Sequence, residues 1–148
     1  MQFSTITRTS IRLPILLHPV HAGFPSPAND HAEGEIDLAK LLIENRPATF
    51  IVRVEGESMT EARMFDGDLA IVDRSLIPLN GDIVVVDIDG ERSFKIWSEQ
   101  KGRATLSFAN PKYPEFVLRD DSEVDVWGVV VNTIGLGRRC EARLTKAR

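Results

Sequence analysis

Residues 56–73 read G-E-S-M-T-E-A-R-M-F-D-G-D-L-A-I-V-D, and the order of turn and apolar residues in them decides the fold. The apolar run Thr49–Val54 leads into Gly56, where the chain turns through Glu57, Ser58 and Met59. A second turn at Asp66-Gly67-Asp68 starts the run Leu69–Asp73. Two short β-type runs separated by compact turns predict strands rather than helices.

The same pattern continues downstream. Further strands are predicted at Asp82–Ile88, Glu91–Trp97, Ala104–Phe108 and Val124–Asn132. Asn80-Gly81 and Asp89-Gly90 are turn signals, and the latter reads as a tight hairpin. Residues 109–114, A-N-P-K-Y-P, read as a loop. Upstream, residues 36–45, I-D-L-A-K-L-L-I-E-N, hold the one predicted helix of useful length. Its Leu38, Leu41, Leu42 and Ile43 would pack one face, with Asp37, Lys40 and Glu44 toward water. Before it, Pro14, Pro19, Pro25 and Pro27 exclude a long helix, so residues 1–35 are expected to form an extended arm.

Length and composition set the class. The 148 residues suffice for one domain with a proper core. Their 43% hydrophobic and 27% charged content is that of a globular chain rather than a disordered one. A net charge of −4 argues against a protein that wraps duplex DNA over much of its surface. Cys140 is the single cysteine, which excludes an intramolecular disulfide and a cysteine-cluster zinc site and fits a reducing, cytoplasmic setting. No run reaches the roughly 18 apolar residues of a membrane span, so no membrane association is expected.

Charge is segregated along the chain. Residues 1–22 carry Arg8 and Arg12 and no carboxylate. Residues 135–148 carry Arg138, Arg139, Arg143, Lys146 and Arg148 against Glu141 alone. This basic tail is read as a solvated, partly frayed end or as a contact for nucleic acid or an acidic partner.

Which residues could do chemistry? A serine in a turn after glycine can present its hydroxyl beside free backbone N–H groups, as a nucleophile with its oxyanion hole requires. Serine after glycine is also common in turns without any such role. All three histidines, His18, His21 and His31, lie in the arm, outside the domain that would hold a Ser-His-Asp triad. His18-x-x-His21 is a two-histidine spacing on a proline-broken segment, and no metal or other cofactor is expected from it. A lysine made neutral by burial is the other kind of base. Lys95 sits mid-strand in R-S-F-K-I-W, whereas Lys40, Lys101 and Lys112 fall on a helix face or in loops. Alternation alone makes Lys95 the solvent-facing neighbour of a buried Phe94 and Ile96.

Taken together, these motifs resemble the LexA/UmuD (S24) group of self-cleaving serine peptidases, and its UmuD branch most. The resemblance rests on Gly56-Glu57-Ser58-Met59, on Asp66-Gly67-Asp68 with Val72-Asp73, and on Gly81-Asp82-Ile83-Val84. It extends to Asp89-Gly90-Glu91 with Lys95, and to Val126-Trp127-Gly128-Val129-Val130. The 37-residue separation of Ser58 and Lys95 is also that of the group. Upstream, residues 22–28, A-G-F-P-S-P-A, resemble the segment that these proteins cut in themselves, and the likeness covers roughly residues 22–135.

The resemblance implies a mainly β, LexA-like peptidase domain of twisted antiparallel sheets, with one short helix and an extended N-terminal arm. The divisions expected are an arm over 1–35, the peptidase domain over 36–134 and a basic tail over 135–148. It implies a Ser58/Lys95 dyad, an oxyanion hole from the backbone N–H groups of Glu57 and Ser58, and a scissile bond between Ala22 and Gly23. It further implies stimulation by RecA filaments on single-stranded DNA in the SOS response. The processed chain would be a homodimer serving a UmuC-type Y-family translesion polymerase, with no strong duplex-DNA binding of its own. Alanine stands at position 22, as in the repressor branch, and the tail past Gly135 has no counterpart in the pattern.

Three other readings share some of these residues. Val20-x-Ala22 resembles a signal-peptidase site, but the preceding apolar run is broken by Arg12 and Pro14. A repressor of the same group would need a DNA-binding domain, for which residues 1–22 leave no room. A third is an interaction module of the same fold with an idle dyad.

Overall fold

The computed structural model of the chain describes residues 10–16, 19–23 and 31–146. Arg8, His18, residues 24–28 of the expected cleavage segment and Arg148 lie outside the described residues. The chain divides into two compact units, Met1–Glu44 and Asn45–Arg148.

In the first unit, β1 (Arg12–Leu16) and β2 (Ala32–Asp37) pair antiparallel, with Arg12 opposite Asp37 and Pro14 opposite Glu35. Pro14 is tolerated because a two-stranded ribbon leaves one side of each strand without ladder bonds. The predicted helix over 36–45 is shorter than expected: α1 spans Leu38–Leu42, and Ile36 and Asp37 end β2. Asp37 decides the start, because its carboxylate accepts the N–H groups of Ala39 and Lys40 as an N-cap. It also accepts the Ser10 hydroxyl at 2.8 Å. These bonds, that of Ser10 foremost, hold the Asp37 carboxyl below its ordinary pKa. The expected packed face is not formed, since Leu38 and Leu41 are exposed and α1 buries no residue.

The second unit is a six-stranded antiparallel sheet. Its strands are β3 (Thr49–Arg53), β4 (Leu69–Asp73), β5 (Ile83–Ile88), β6 (Glu91–Gln100), β7 (Arg103–Ser107) and β8 (Val124–Ile134). Their order is β3-β4-β8-β5-β6-β7, so the last strand in sequence lies in the middle. Each follows the predicted run to within a few residues. The Asp89-Gly90 hairpin is present, with φ of 50° and 87°, the pair of positive values that a type I′ turn needs.

Both faces of this sheet are covered. Val54, Met59, Met64, Ala70, Val72 and Val85 pack together, while Val84, Val86, Leu106 and Val129 form a second cluster. The consecutive valines 84–86 are all buried, which period-2 geometry permits only when each face has a cover. β8 carries two bulges. Val85 faces Gly128 and Val86 faces Val126, which skips Trp127; Ile71 faces Asn132 and Val72 faces Val130, which skips Val131. Bulges increase local twist, in keeping with the twisted antiparallel sheet expected.

The tail is not a frayed end throughout. Arg138–Lys146 form a helix, α2, so residues 36–45 do not hold the chain's one useful helix. The run R-R-C-E-A-R-L-T-K has no glycine or proline and is rich in helix formers.

Candidate active site

The two turns of residues 56–73 clasp each other. Val54 N–H donates to the Asp68 carbonyl at 2.8 Å, and Gly67 N–H donates to the Val54 carbonyl at 2.9 Å. Asp66 Oδ1 accepts Gly56 N–H at 2.8 Å, and Asp68 Oδ2 accepts Phe65 N–H at 2.9 Å. The two carboxylates of the D-G-D motif thus hold backbone amides, and one of those amides opens the serine turn. Gly56 and Gly67 have φ of +89° and +87°, which an L side chain would strain. Met59 then plugs the core at 2% exposure, leaving Ser58 half-buried at the rim.

A second segment fixes the turn from the far side. Asn110 Nδ2 donates to the Glu57 carbonyl at 2.6 Å, and Ala109 N–H donates to the Ser58 carbonyl at 2.9 Å. Glu61 N–H returns to the Ala109 carbonyl at 2.8 Å. With both carbonyls held this way, the N–H groups of Glu57 and Ser58 donate to no acceptor among the described residues.

Lys95 lies on β6 opposite Val84, so its side chain enters the covered face that also holds Leu106 and Phe116. It is 4% exposed, whereas Phe94 and Ile96 are only half-buried, the reverse of what alternation suggests. Its Nζ lies 4.6 Å from the centre of the Phe108 ring and 5.0 Å from that of Phe116. It donates to Ser93 Oγ at 2.7 Å and to the Phe94 carbonyl at 3.3 Å. No carboxylate pairs with it among the described residues. Burial therefore pushes the lysine pKa down from its ordinary value. A cleft of about 520 Å³ opens beside it, walled by Ser93, Phe116, Val117 and Leu118.

The structure brings Ser58 and Lys95 to one segment, residues 108–110, whose Phe108 covers the amine and whose Ala109 and Asn110 hold the serine turn. It does not join them by a hydrogen bond: the amine rests on Ser93 and Phe94. Ala22 and Gly23 are exposed and belong to the other unit, as do His21 and His31. Four residues of the site went unread in the sequence: Ser93, Phe108, Asn110 and Phe116. Asn110 alone left a signal, as a polar residue directly before proline in a short loop.

Residues 14–131 match the protein family described as Peptidase S24-like. The chain belongs to that family. Among curated proteins it is 41% identical over 117 residues to Protein SamA of Salmonella typhimurium, covering 79% of this chain and 81% of that protein. It is 40% identical over 121 residues to Protein ImpA of Escherichia coli, covering 82% of each. Protein MucA of Escherichia coli is 37% identical over 123 residues, 82% of this chain and 84% of that protein. The likeness to the LexA/UmuD group is thereby borne out, and membership places this S24 chain among self-cleaving serine peptidases. No helix among its described residues is long and apolar enough to cross a membrane.

Proposed function

We propose that this S24 peptidase cuts its own Ala22–Gly23 bond with a Ser58/Lys95 dyad. The burial of Lys95, with no carboxylate ion-paired to it among the described residues, carries the reading, because it favours the neutral amine that a base must be. In the reaction, Lys95 Nζ takes the proton of Ser58 Oγ as that oxygen attacks the Ala22 carbonyl carbon. The unengaged N–H groups of Glu57 and Ser58 receive the developing oxyanion, each such donor being worth about 3 kcal/mol. Collapse breaks the bond to Gly23, whose nitrogen leaves with the proton held by Lys95. Water then hydrolyses the Ala22 ester and frees Ser58.

For this the Lys95 side chain must swing from Ser93 toward Ser58 when the arm occupies the site. Catalytic hydrogen bonds commonly tighten only in the occupied site. Enzyme and substrate are one chain, or two chains of a dimer, so the local concentration of bond at site is high and occupancy is governed by a conformational equilibrium. RecA filaments on single-stranded DNA favour the occupied state in this reading. The processed chain, residues 23–148, then acts in the cytoplasm as a homodimeric accessory subunit of a UmuC-type Y-family polymerase in SOS translesion synthesis. The likeness to SamA, ImpA and MucA over about four-fifths of their lengths supports this role.

The test is mass spectrometry of purified wild type, Ser58→Ala and Lys95→Ala at mildly alkaline pH, with and without RecA filaments. Wild type is expected to yield a fragment beginning at Gly23, and both variants to stay whole. Cutting that persists in Ser58→Ala would sink the dyad.

A further inference from the structure

The tail beyond Gly135 lies past the residues that match the peptidase family, 14–131. It carries five cationic residues against one carboxylate. The whole chain is at −4, so a tail at +4 leaves −8 on residues 1–134. Solvated surfaces usually mix the two signs. Part of this tail is also ordered. The Gly137 carbonyl accepts the N–H groups of Cys140 at 2.8 Å and Glu141 at 3.1 Å, and α2 runs on to Lys146. Positions 139, 143 and 146 recur at i, i+4 and i+7 and so share one side of the helix, with position 141 opposite. Arg143 and Lys146 are exposed, and no ion pair among the described residues engages either.

We propose that this side of α2 docks on the phosphate backbone of duplex DNA. Sign selects a polyanion. Charge density selects the duplex, which presents one phosphate per roughly 1.7 Å of axis, so a face of about 10 Å meets several at once. Residues 135–148 contain no aromatic side chain, and single strands are held largely by stacking on aromatic rings. The acidic remainder of the chain repels DNA and confines the contact to the tail. The result is a weak, sequence-independent hold, compatible with the expectation of no strong duplex binding. It stands independently of the self-cleavage reading.

Fluorescence anisotropy of the full chain with a labelled duplex of about 20 base pairs tests it, between about 25 and 200 mM NaCl. Log affinity should fall against log salt with a slope of about −3, as three or four phosphate contacts require. Arg143→Gln/Lys146→Gln should bind at least about 10-fold more weakly, with a slope shallower by about two. Glutamine sustains helix, and circular dichroism checks that it does. Arg143→Lys/Lys146→Arg should keep wild-type affinity. The proposal is overturned if wild type fails to bind at the lowest salt, or if the glutamine pair binds as wild type does. It is equally overturned if the charge-conserving pair also loses binding. Tighter binding of a single strand, or of polyglutamate, would do the same.

Discussion

The side-chain amide of Asn110 donates to the Glu57 carbonyl at 2.6 Å, tying the loop after β7 to the turn that presents Ser58. The bond spans 53 residues of sequence, and it fixes the Glu57 carbonyl directly before Ser58. Asn110→Ala should therefore slow self-cleavage by about 10- to 100-fold, the scale expected when a reacting group is misplaced by an ångström. First-order cleavage rates across pH check this. The pH midpoint should stay where it is in wild type; a moved midpoint would assign Asn110 to the surroundings of Lys95 instead.

Burial of Lys95 fixes a pH dependence. Its pKa is lowered by desolvation, so self-cleavage should rise with pH and level off below the range of an ordinary lysine. Stability follows the same proton. Between the lowered pKa and the ordinary 10.5, the unfolded chain binds more protons than the folded one, so stability rises with pH across that window. Urea unfolding in a Ser58→Ala background should show this rise. Adding Lys95→Met should abolish it and raise stability below the window, where wild type holds a charged amine in an apolar place.

Two opposing effects meet at Phe116. Its ring faces the amine at 5.0 Å, which favours the ammonium, yet the same ring keeps water out, which favours the neutral amine. Contact with a ring is worth about 0.5–2 kcal/mol, while burial pushes the Lys95 pKa down, and desolvation is expected to be the larger of the two effects. Phe116→Ala should accordingly move the cleavage midpoint to higher pH. A move to lower pH would show that the ring's attraction for the cation dominates.

Gly128 marks a close approach in the middle of the sheet. A Cβ there would lie 2.6 Å from Val72 Cγ1 and 3.2 Å from the Asp73 carbonyl oxygen, and Val72 is itself fully buried. Gly128→Ala should destabilise the folded chain by about 1–3 kcal/mol, as overpacking does, read as a lower urea midpoint. Gly135→Ala, whose nearest neighbour would be 3.9 Å away, serves as the control.

The strands and turns of the second unit were legible because their signals are local. Asp89-Gly90 needs two positive φ values and no partner to specify a hairpin, and Gly56 and Gly67 mark turns for the same reason. The helix over 36–45 was overread because the apolar spacing of Leu38, Leu41 and Leu42 outweighed a capping aspartate at the second position of the run. α2 was underread because its polarity, which signals a solvated end, masked its helix propensity.

What the sequence determined by itself was chemical kind and order: a serine in a glycine turn, a lysine in a strand, and small residues at a bond in the arm. Where Lys95 points was decided only by the tertiary structure. Period-2 alternation gives two faces to a strand and says nothing about whether the second is covered. Here Phe108 and Phe116, 13 and 21 residues further along the chain, supply that cover. The physical reason is that a pKa depends on the groups that exclude water from a side chain, and those are neighbours in space.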